Sequence, residues 1–168
     1  MTSARGSDPA SRLPALGRRG EGWVAGQVLL ILAVLLSALV GGSWAGGYAV
    51  AAVAVGGVLF VVGLLLLAWA GVRLGASLTP FPAPRTDQHV KTTGPYALVR
   101  HPMYGGVILI ALGWSIIFAT IVGLVLTGVL AVFLDLKARR EEAWLGERLD
   151  GYDDYRTRTP HKLLPFIY

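Results

Sequence analysis

Two long stretches of the chain contain no charged side chain, and they determine how it folds. Asp, Glu, Lys and Arg are absent from residues 22–72 and again from residues 101–134. A helix that crosses the hydrocarbon core of a bilayer needs roughly 20 apolar residues. The first stretch is long enough for two such helices, and the glycine-rich segment 41–47 at its middle is typical of a turn. We therefore predict membrane spans over about residues 23–42 and 48–71.

The second charge-free stretch is too long for one span and barely long enough for two. A single helix over residues 101–134 would extend about 50 Å at roughly 1.5 Å per residue, whereas the hydrocarbon core is about 30 Å thick. The polar and aromatic segment 114–120 is the best candidate for a turn. We interpret the stretch as a helical hairpin with spans over about 103–118 and 120–136. One long tilted helix is the alternative.

The positions of the basic residues test the number of spans. Arginine and lysine occur before the first span, between the second and third spans, and at and beyond the end of the fourth. With four spans, all 15 lie on one side of the membrane, which the positive-inside rule identifies as the cytoplasm. With three spans, the basic C-terminal cluster would lie outside. The pattern therefore predicts an all-α integral membrane protein with about four transmembrane helices and both termini in the cytoplasm.

The composition agrees with a membrane protein and argues against a soluble enzyme. Apolar residues form 54% of the 168-residue chain and charged residues only 15%, whereas about 25% charged residues is usual in soluble domains. Cysteine is absent and the three histidines are widely separated, so we expect no disulfide, no catalytic thiolate and no metal site. Because the excess of basic residues fits the cytoplasmic side of a membrane, we expect no nucleic-acid partner.

The first 21 residues differ from the rest of the chain. They are rich in Gly, Ser, Pro, Ala and Arg, which is typical of a disordered segment. The apolar run that follows them is long and is followed directly by a second span, so it is interpreted as an uncleaved helix and not as a signal peptide. The predicted organisation is a disordered cytoplasmic N-terminus over residues 1–21 and a single membrane domain over residues 22–168.

The first polar segment on the predicted cytoplasmic side lies between the second and third spans. It contains the Pro-rich stretch 79–84 and, further on, the Gly94-Pro95 turn signal before Tyr96. Pro102 suits the first turn of the next helix, because the N–H that proline lacks is not needed there. Arg100 and His101 are therefore predicted at a helix N-terminus near the membrane surface, where free amides and a guanidinium favour an anionic group.

The second polar segment begins at Asp135 and is predicted to continue the fourth helix for about three turns beyond the membrane. Glu141 and Glu142 follow the membrane boundary directly, and adjacent residues point about 100° apart on a helix, so at most one can face a given pocket squarely. Such carboxylates suit the binding of an ammonium group or a ribose diol. The apolar tail 163–168 predicts that the chain folds back, which would carry Arg158 to the membrane interface.

These residues resemble the signature of a known enzyme family, the isoprenylcysteine carboxyl methyltransferases and their bacterial relatives. The first matching motif consists of Gly94, Pro95, Tyr96, Arg100, His101, Pro102, Tyr104 and Gly106. The second consists of Glu141, Glu142, Tyr152, Tyr155, Arg158, Pro160 and Leu164-Pro165-Phe166. The resemblance covers about residues 73–168 and departs from the family near Arg158, where the Phe-Gly pair that often precedes the first Tyr is absent. Phospholipid N-methyltransferases share the pattern, so the acceptor is left open.

The resemblance implies S-adenosylmethionine as the methyl donor, bound on the cytoplasmic side of a bacterial plasma membrane. It implies a lipidic or membrane-embedded acceptor, for which a carboxylate is one candidate, and makes residues 22–168 a membrane methyltransferase domain. The implied cofactor-binding residues are Tyr96, His101, Pro102, Tyr104, Glu141 and Glu142. The implied catalytic residues are Arg100 and Arg158, of which Arg158 would lie near the methyl-transfer site and orient a substrate carboxylate.

Two other functions stay open at this point. An NADPH-dependent membrane reductase of the sterol-reductase type has a related architecture, although its motifs differ from Arg-His-Pro-x-Tyr. A non-catalytic membrane scaffold would tolerate substitution of His101 and Glu142 freely. The glycine pairs in the spans permit close helix packing under any of these functions.

Overall fold

The computed structural model describes residues 13–81 and 90–164, and most of these residues are helical. The α-helices are α1 (Glu21–Leu36), α2 (Tyr48–Leu74), α3 (Pro102–Ile117), α4 (Ile121–Arg148) and α5 (Tyr152–Arg158). Short 3₁₀ helices occur at Ser37–Val40, Gly75–Ser77 and Gly94–Ala97. The described part of the chain contains no β-strand, so the prediction of an all-α protein is confirmed.

The helices agree with an integral membrane protein. Three helical stretches are long and apolar enough to cross a membrane, namely Glu21–Val40, Tyr48–Leu74 and Ile121–Arg148. The remaining predicted span corresponds to α3, which is apolar but has only 16 residues. At roughly 1.5 Å per residue α3 is about 24 Å long, shorter than the hydrocarbon core of about 30 Å. Each predicted span is therefore an apolar helix, and the third is shorter than a full span.

A tight turn between α3 and α4 confirms the helical hairpin and excludes the single long helix. Ala119 in this turn has a left-handed φ of 47°. Thr120 caps α4, because its hydroxyl oxygen accepts a hydrogen bond from the Gly123 amide at 3.1 Å. Across the hairpin, the hydroxyl oxygens of Ser115 and Thr127 lie 3.3 Å apart. The turn is therefore stabilised by buried hydroxyl groups and needs neither proline nor a glycine pair.

Glycine residues bring α2 and α3 into close contact. A Cβ atom at Gly63 of α2 would lie 2.7 Å from the carbonyl oxygen of Gly106 in α3, and one at Gly106 would lie 2.9 Å from the Gly63 carbonyl oxygen. Gly56 and Gly113 meet in the same way two helical turns further along. Small residues permit helix backbones to approach this closely in a membrane.

The helices alternate in direction, which gathers the polar segments at one end of the bundle formed by α1–α4. At the opposite end, the indole of Trp44 between α1 and α2 donates a hydrogen bond to the Ile116 carbonyl at 2.7 Å, close to the α3–α4 turn. The polar end contains the starts of α1 and α3 and the ends of α2 and α4. As predicted, α4 continues well beyond Asp135, to Arg148.

Parts of three predictions lie outside the described residues. The predicted disordered N-terminus includes residues 1–12, and the Pro-rich stretch runs into residues 82–89. The predicted apolar tail, with the last part of its Leu-Pro-Phe motif, ends in residues 165–168. These parts stay predictions.

Candidate functional site

The C-terminal segment folds back onto the start of α3 and closes one side of the polar end. The backbone amides of Arg100 and His101 donate hydrogen bonds to the carbonyls of residues 161–162, at 3.1 and 2.8 Å. Gly105 permits this approach, because a Cβ atom there would collide with the carbonyl of Leu163. Leu163 itself is buried. The prediction that the tail folds back is therefore confirmed for its described part.

Glu142 connects α4 to the start of α3 through a buried charged cluster. Its Oε1 accepts a hydrogen bond from Arg100 Nε at 2.7 Å and lies 3.0 Å from His101 Nε2. The side chains of all three residues are less than a tenth exposed. Arg100 Nη1 also donates to the carbonyls of Thr159 and Pro160, at 2.8 and 2.7 Å. Arg100 therefore links α4 and the segment after α5 to the first turn of α3.

The neighbouring carboxylate, Glu141, has different surroundings. Its Oε2 accepts a hydrogen bond from the Tyr104 hydroxyl at 2.7 Å and lies 3.8 Å from His101 Nδ1. The rings of His101 and Tyr104 are nearly parallel, with centroids 5.4 Å apart. Glu141 faces a cavity, whereas Glu142 lies behind its wall. Only one of the adjacent carboxylates faces the pocket, as their angular separation predicts.

This cavity has a volume of about 450 Å³, within the range of roughly 300–1,000 Å³ that is usual for small-molecule sites. Most of the predicted site residues line it: Tyr96, Arg100, His101, Tyr104 and Glu141. Apolar side chains from α2 and α3 form another part of the wall: Leu67, Leu74, Met103 and Val107. The cavity therefore presents both charged and apolar surfaces to a ligand.

The remaining predicted residues lie outside the cavity wall. Pro102 is buried at the first position of α3, and Glu142 lies behind Arg100. Arg158 is on the exposed face of α5, where its Nε donates to the Asp154 carbonyl at 3.2 Å. The structure thus brings the Arg-His-Pro-x-Tyr motif and both glutamates together, but it does not bring Arg158 into the cavity.

Sequence reasoning missed Lys137, which is among the most deeply buried charged residues. Lys137 is 2% exposed and lines the cavity. Its Nζ donates to Gln27 Oε1 at 2.5 Å and to the Pro80 carbonyl at 3.2 Å. Lys137 precedes Glu141 by four residues, so both lie on one face of α4. That spacing was the available signal in the sequence.

Two tyrosines of the C-terminal motif also line the cavity. Burial raises the pKa of Tyr155 to about 12, so its hydroxyl stays protonated and donates to the Tyr96 carbonyl at 2.7 Å. Tyr152 is 3% exposed, and burial and the carboxylates of Glu142 and Glu141 raise its pKa. Its hydroxyl has no hydrogen-bond partner among the described residues.

The helices are those of an integral membrane protein, and the cavity lies at the polar end of the bundle. The sequence profile of the phospholipid methyltransferase family matches residues 51–150, a region that includes α3, α4 and most of α2. A search of curated proteins found no significant match. Because the profile covers more than half of the sequence, the chain belongs to the phospholipid methyltransferase family. The predicted relationship to membrane methyltransferases is confirmed.

Proposed function

We propose that the protein transfers a methyl group from S-adenosylmethionine to a lipid or another membrane-embedded acceptor. One observation carries the proposal: in a member of a methyltransferase family, the signature residues Arg100, His101, Tyr104 and Glu141 line one cavity that also has an apolar wall from α2 and α3. A polar donor and an apolar acceptor need a site with both kinds of surface. The family also favours a methyltransferase over the NADPH-dependent reductase.

The cavity residues fit the chemical groups of S-adenosylmethionine. The Glu141 carboxylate would bind its ammonium group or its ribose hydroxyls. The stacked rings of His101 and Tyr104 offer an aromatic surface to the ligand. When bound, S-adenosylmethionine supplies a methyl group already activated by the sulfonium charge. The task left to the protein is to hold donor and acceptor in the reactive orientation.

The two candidate arginines would act in different ways. Arg100 borders the cavity while it bonds Glu142, Thr159 and Pro160, so we propose that it mainly positions the wall of the site. Arg158 would orient a substrate carboxylate, as the family resemblance implies, although its side chain lies on the exposed face of α5. A rate of methyl transfer that is unchanged in Arg158→Ala would contradict the proposed role of this residue.

We further propose that the polar end faces the cytoplasm of a bacterial cell, with both chain termini on that side. Basic residues of the described chain cluster at this end, among them Arg18, Arg73 and Arg148. This distribution agrees with the positive-inside rule. The acceptor would then reach the apolar wall of the cavity from the bilayer, and the donor would enter from the cytoplasm.

Methyl transfer can be measured directly in nanodiscs that contain phosphatidylethanolamine. The purified protein is incubated with methyl-labelled S-adenosylmethionine, and the label in the extracted lipid is counted. We expect labelled lipid, and at least about tenfold less of it with Glu141→Gln, since a charge-assisted contact to the donor is lost. Glu147→Gln changes an exposed glutamate of the same helix and should retain activity. Folded protein that labels neither this lipid nor a prenylcysteine would contradict the proposal.

A further inference from the structure

Lys137 places a buried positive charge in the cavity, and no carboxylate of the described residues forms an ion pair with it. Its ammonium group donates to two neutral acceptors, Gln27 Oε1 and the Pro80 carbonyl, and lies 5.2 Å from the centroid of the Tyr104 ring. Among residues 13–81 and 90–164, no carboxylate forms an ion pair with it. An ammonium has three N–H donors, so one donor is left for a ligand.

Two other buried cations at the polar end, Arg100 and Lys162, form ion pairs with carboxylates, unlike Lys137. Arg100 contacts Glu142 at 2.7 Å, and Lys162 contacts Asp135 at 2.7 Å. A buried charge is unfavourable unless an opposite charge compensates it. On the same face of α4, the Glu141 carboxylate attracts Lys137 without forming an ion pair with it, and it also accepts a hydrogen bond from the Tyr104 hydroxyl. An anionic group inside the cavity would compensate the charge of Lys137 by direct contact.

The position of Lys137 identifies the end of the cavity where this group would lie. Residues 137, 141 and 145 of α4 and Leu149, the residue directly after the helix, line the cavity at intervals of four residues, which places the three helical residues on one face of α4. At roughly 1.5 Å per residue this row is about 18 Å long. Lys137 lies at its inner end, beside Tyr104, and the apolar Val107 follows one turn further into the bundle. The opposite end of the row approaches α5.

We infer that Lys137 binds an anionic oxygen group of a ligand at the membrane-side end of the cavity. Two sources supply this chemistry: the phosphodiester of a lipid acceptor and the carboxylate of the methyl donor. The inference deepens the proposed function and rests on it for the assignment of these two sources. The alternative explanation is a purely structural role, in which the hydrogen bonds of Lys137 only link α1 and the segment after α2 to α4.

The test measures the binding of three probes by calorimetry in a neutral detergent. Dihexanoylphosphatidylethanolamine carries the phosphodiester, dihexanoylglycerol is the same lipid without it, and S-adenosylhomocysteine carries the donor's carboxylate. The proteins are wild type, Lys137→Met and Arg139→Met. The last is a matched control, because Arg139 lies on the same helix with its side chain 49% exposed. Lys137→Gln is a second variant, which removes the charge but keeps a hydrogen-bond donor at the site. It replaces Lys137→Met in the test if that variant does not fold.

We expect Lys137→Met to raise the Kd of one anionic probe at least about tenfold, as the loss of a charged hydrogen bond requires. Arg139→Met should stay within about twofold of wild type, and dihexanoylglycerol should not distinguish the variants. A change confined to the phospholipid assigns the site to the lipid phosphate, and a change confined to S-adenosylhomocysteine assigns it to the donor's carboxylate. Either result supports the inference.

Equal Kd values for wild type and both Lys137 variants would overturn the inference. This holds even if the melting temperatures of the variants fall, because a purely structural role of Lys137 changes stability alone. If wild type binds the phospholipid through Lys137 but does not bind S-adenosylhomocysteine, the proposed function fails while the anion site stands. If S-adenosylhomocysteine binds and substitutions at Lys137 have no effect, the proposed function stands and the anion site fails. Folded wild type that binds neither anionic probe would contradict both.

Discussion

The contact between α2 and α3 is made by glycines and apolar side chains, whereas the contact between the start of α3 and the end of α4 is made by charged side chains. In the first, Gly63 and Gly106 bring backbone against backbone. In the second, Arg100 and Glu142 meet through their side chains over a separation of 42 residues. The first contact depends on side chains being absent and the second on their charge. A larger side chain should therefore disrupt the glycine contact, and loss of a charge should disrupt the charged contact.

The largest expected effect comes from adding bulk to the glycine contact. In Gly63→Leu the first added carbon would lie 2.7 Å from the Gly106 carbonyl oxygen, so α2 and α3 would have to separate. We expect little or no folded protein in detergent, measured by gel filtration and by thermal unfolding followed through tryptophan fluorescence. Gly57→Leu is the control, because a Cβ atom at Gly57 meets no other atom within 4 Å. Equal yields and melting temperatures for both variants would contradict the glycine contact.

The next effect in size comes from removing the charge of Glu142. Glu142→Gln leaves the buried guanidinium of Arg100 without its counter-charge, a change that typically destabilises by roughly 3–5 kcal/mol. At roughly 2–4 °C per kcal/mol for a chain of this size, the melting temperature should fall by about 10 °C. Glu147→Gln, at an exposed position of the same helix, should leave it unchanged. If both variants melt alike, the charged contact does not stabilise the end of α4.

The smallest effect concerns the hydroxyl of Tyr155, which donates to the Tyr96 carbonyl. Tyr155→Phe removes one neutral hydrogen bond, so we expect a loss of about 1 kcal/mol. Because the pKa of Tyr155 is raised from 10.0 to about 12, its stabilisation is complete below pH 10 and is lost as the pH rises towards about 12. The melting temperature of wild type should therefore fall more steeply over this interval than that of the variant. Parallel curves would contradict this contribution.

Much of the fold was predictable because long stretches without charged residues indicate membrane helices directly. The hairpin was favoured by length, since one helix over residues 101–134 would be too long for a bilayer unless it were tilted, and by the basic residues, which all lie on one side only with four spans. The contacting glycines were harder to predict, because the visible signal was adjacent pairs such as Gly56-Gly57. The actual contacts repeat every seven residues, at Gly56 and Gly63, and of the pair Gly56-Gly57 only Gly56 faces the neighbouring helix.

The candidate site was predictable only in part, because it joins residues that are distant in sequence. The family resemblance assembled Arg100, His101 and both glutamates without any geometric argument. Lys137 was not predicted as a site residue, because in the sequence it resembles the other basic residues at the membrane boundary. Its burial depends on Gln27 and Pro80, which belong to distant segments. The resemblance also implied a site role for Arg158, whose exposed position on α5 no local pattern indicated.

The proposed methyl transfer requires that the cavity beside Glu141 binds the methyl donor. The most direct test is a calorimetric titration of S-adenosylmethionine into the purified protein in nanodiscs, repeated with Glu141→Gln and Glu147→Gln. We expect saturable binding by wild type and Glu147→Gln, and a Kd raised at least about tenfold in Glu141→Gln, with melting temperatures that stay close to wild type. Absence of binding by folded wild-type protein, or binding that Glu141→Gln leaves unchanged, would contradict the proposal.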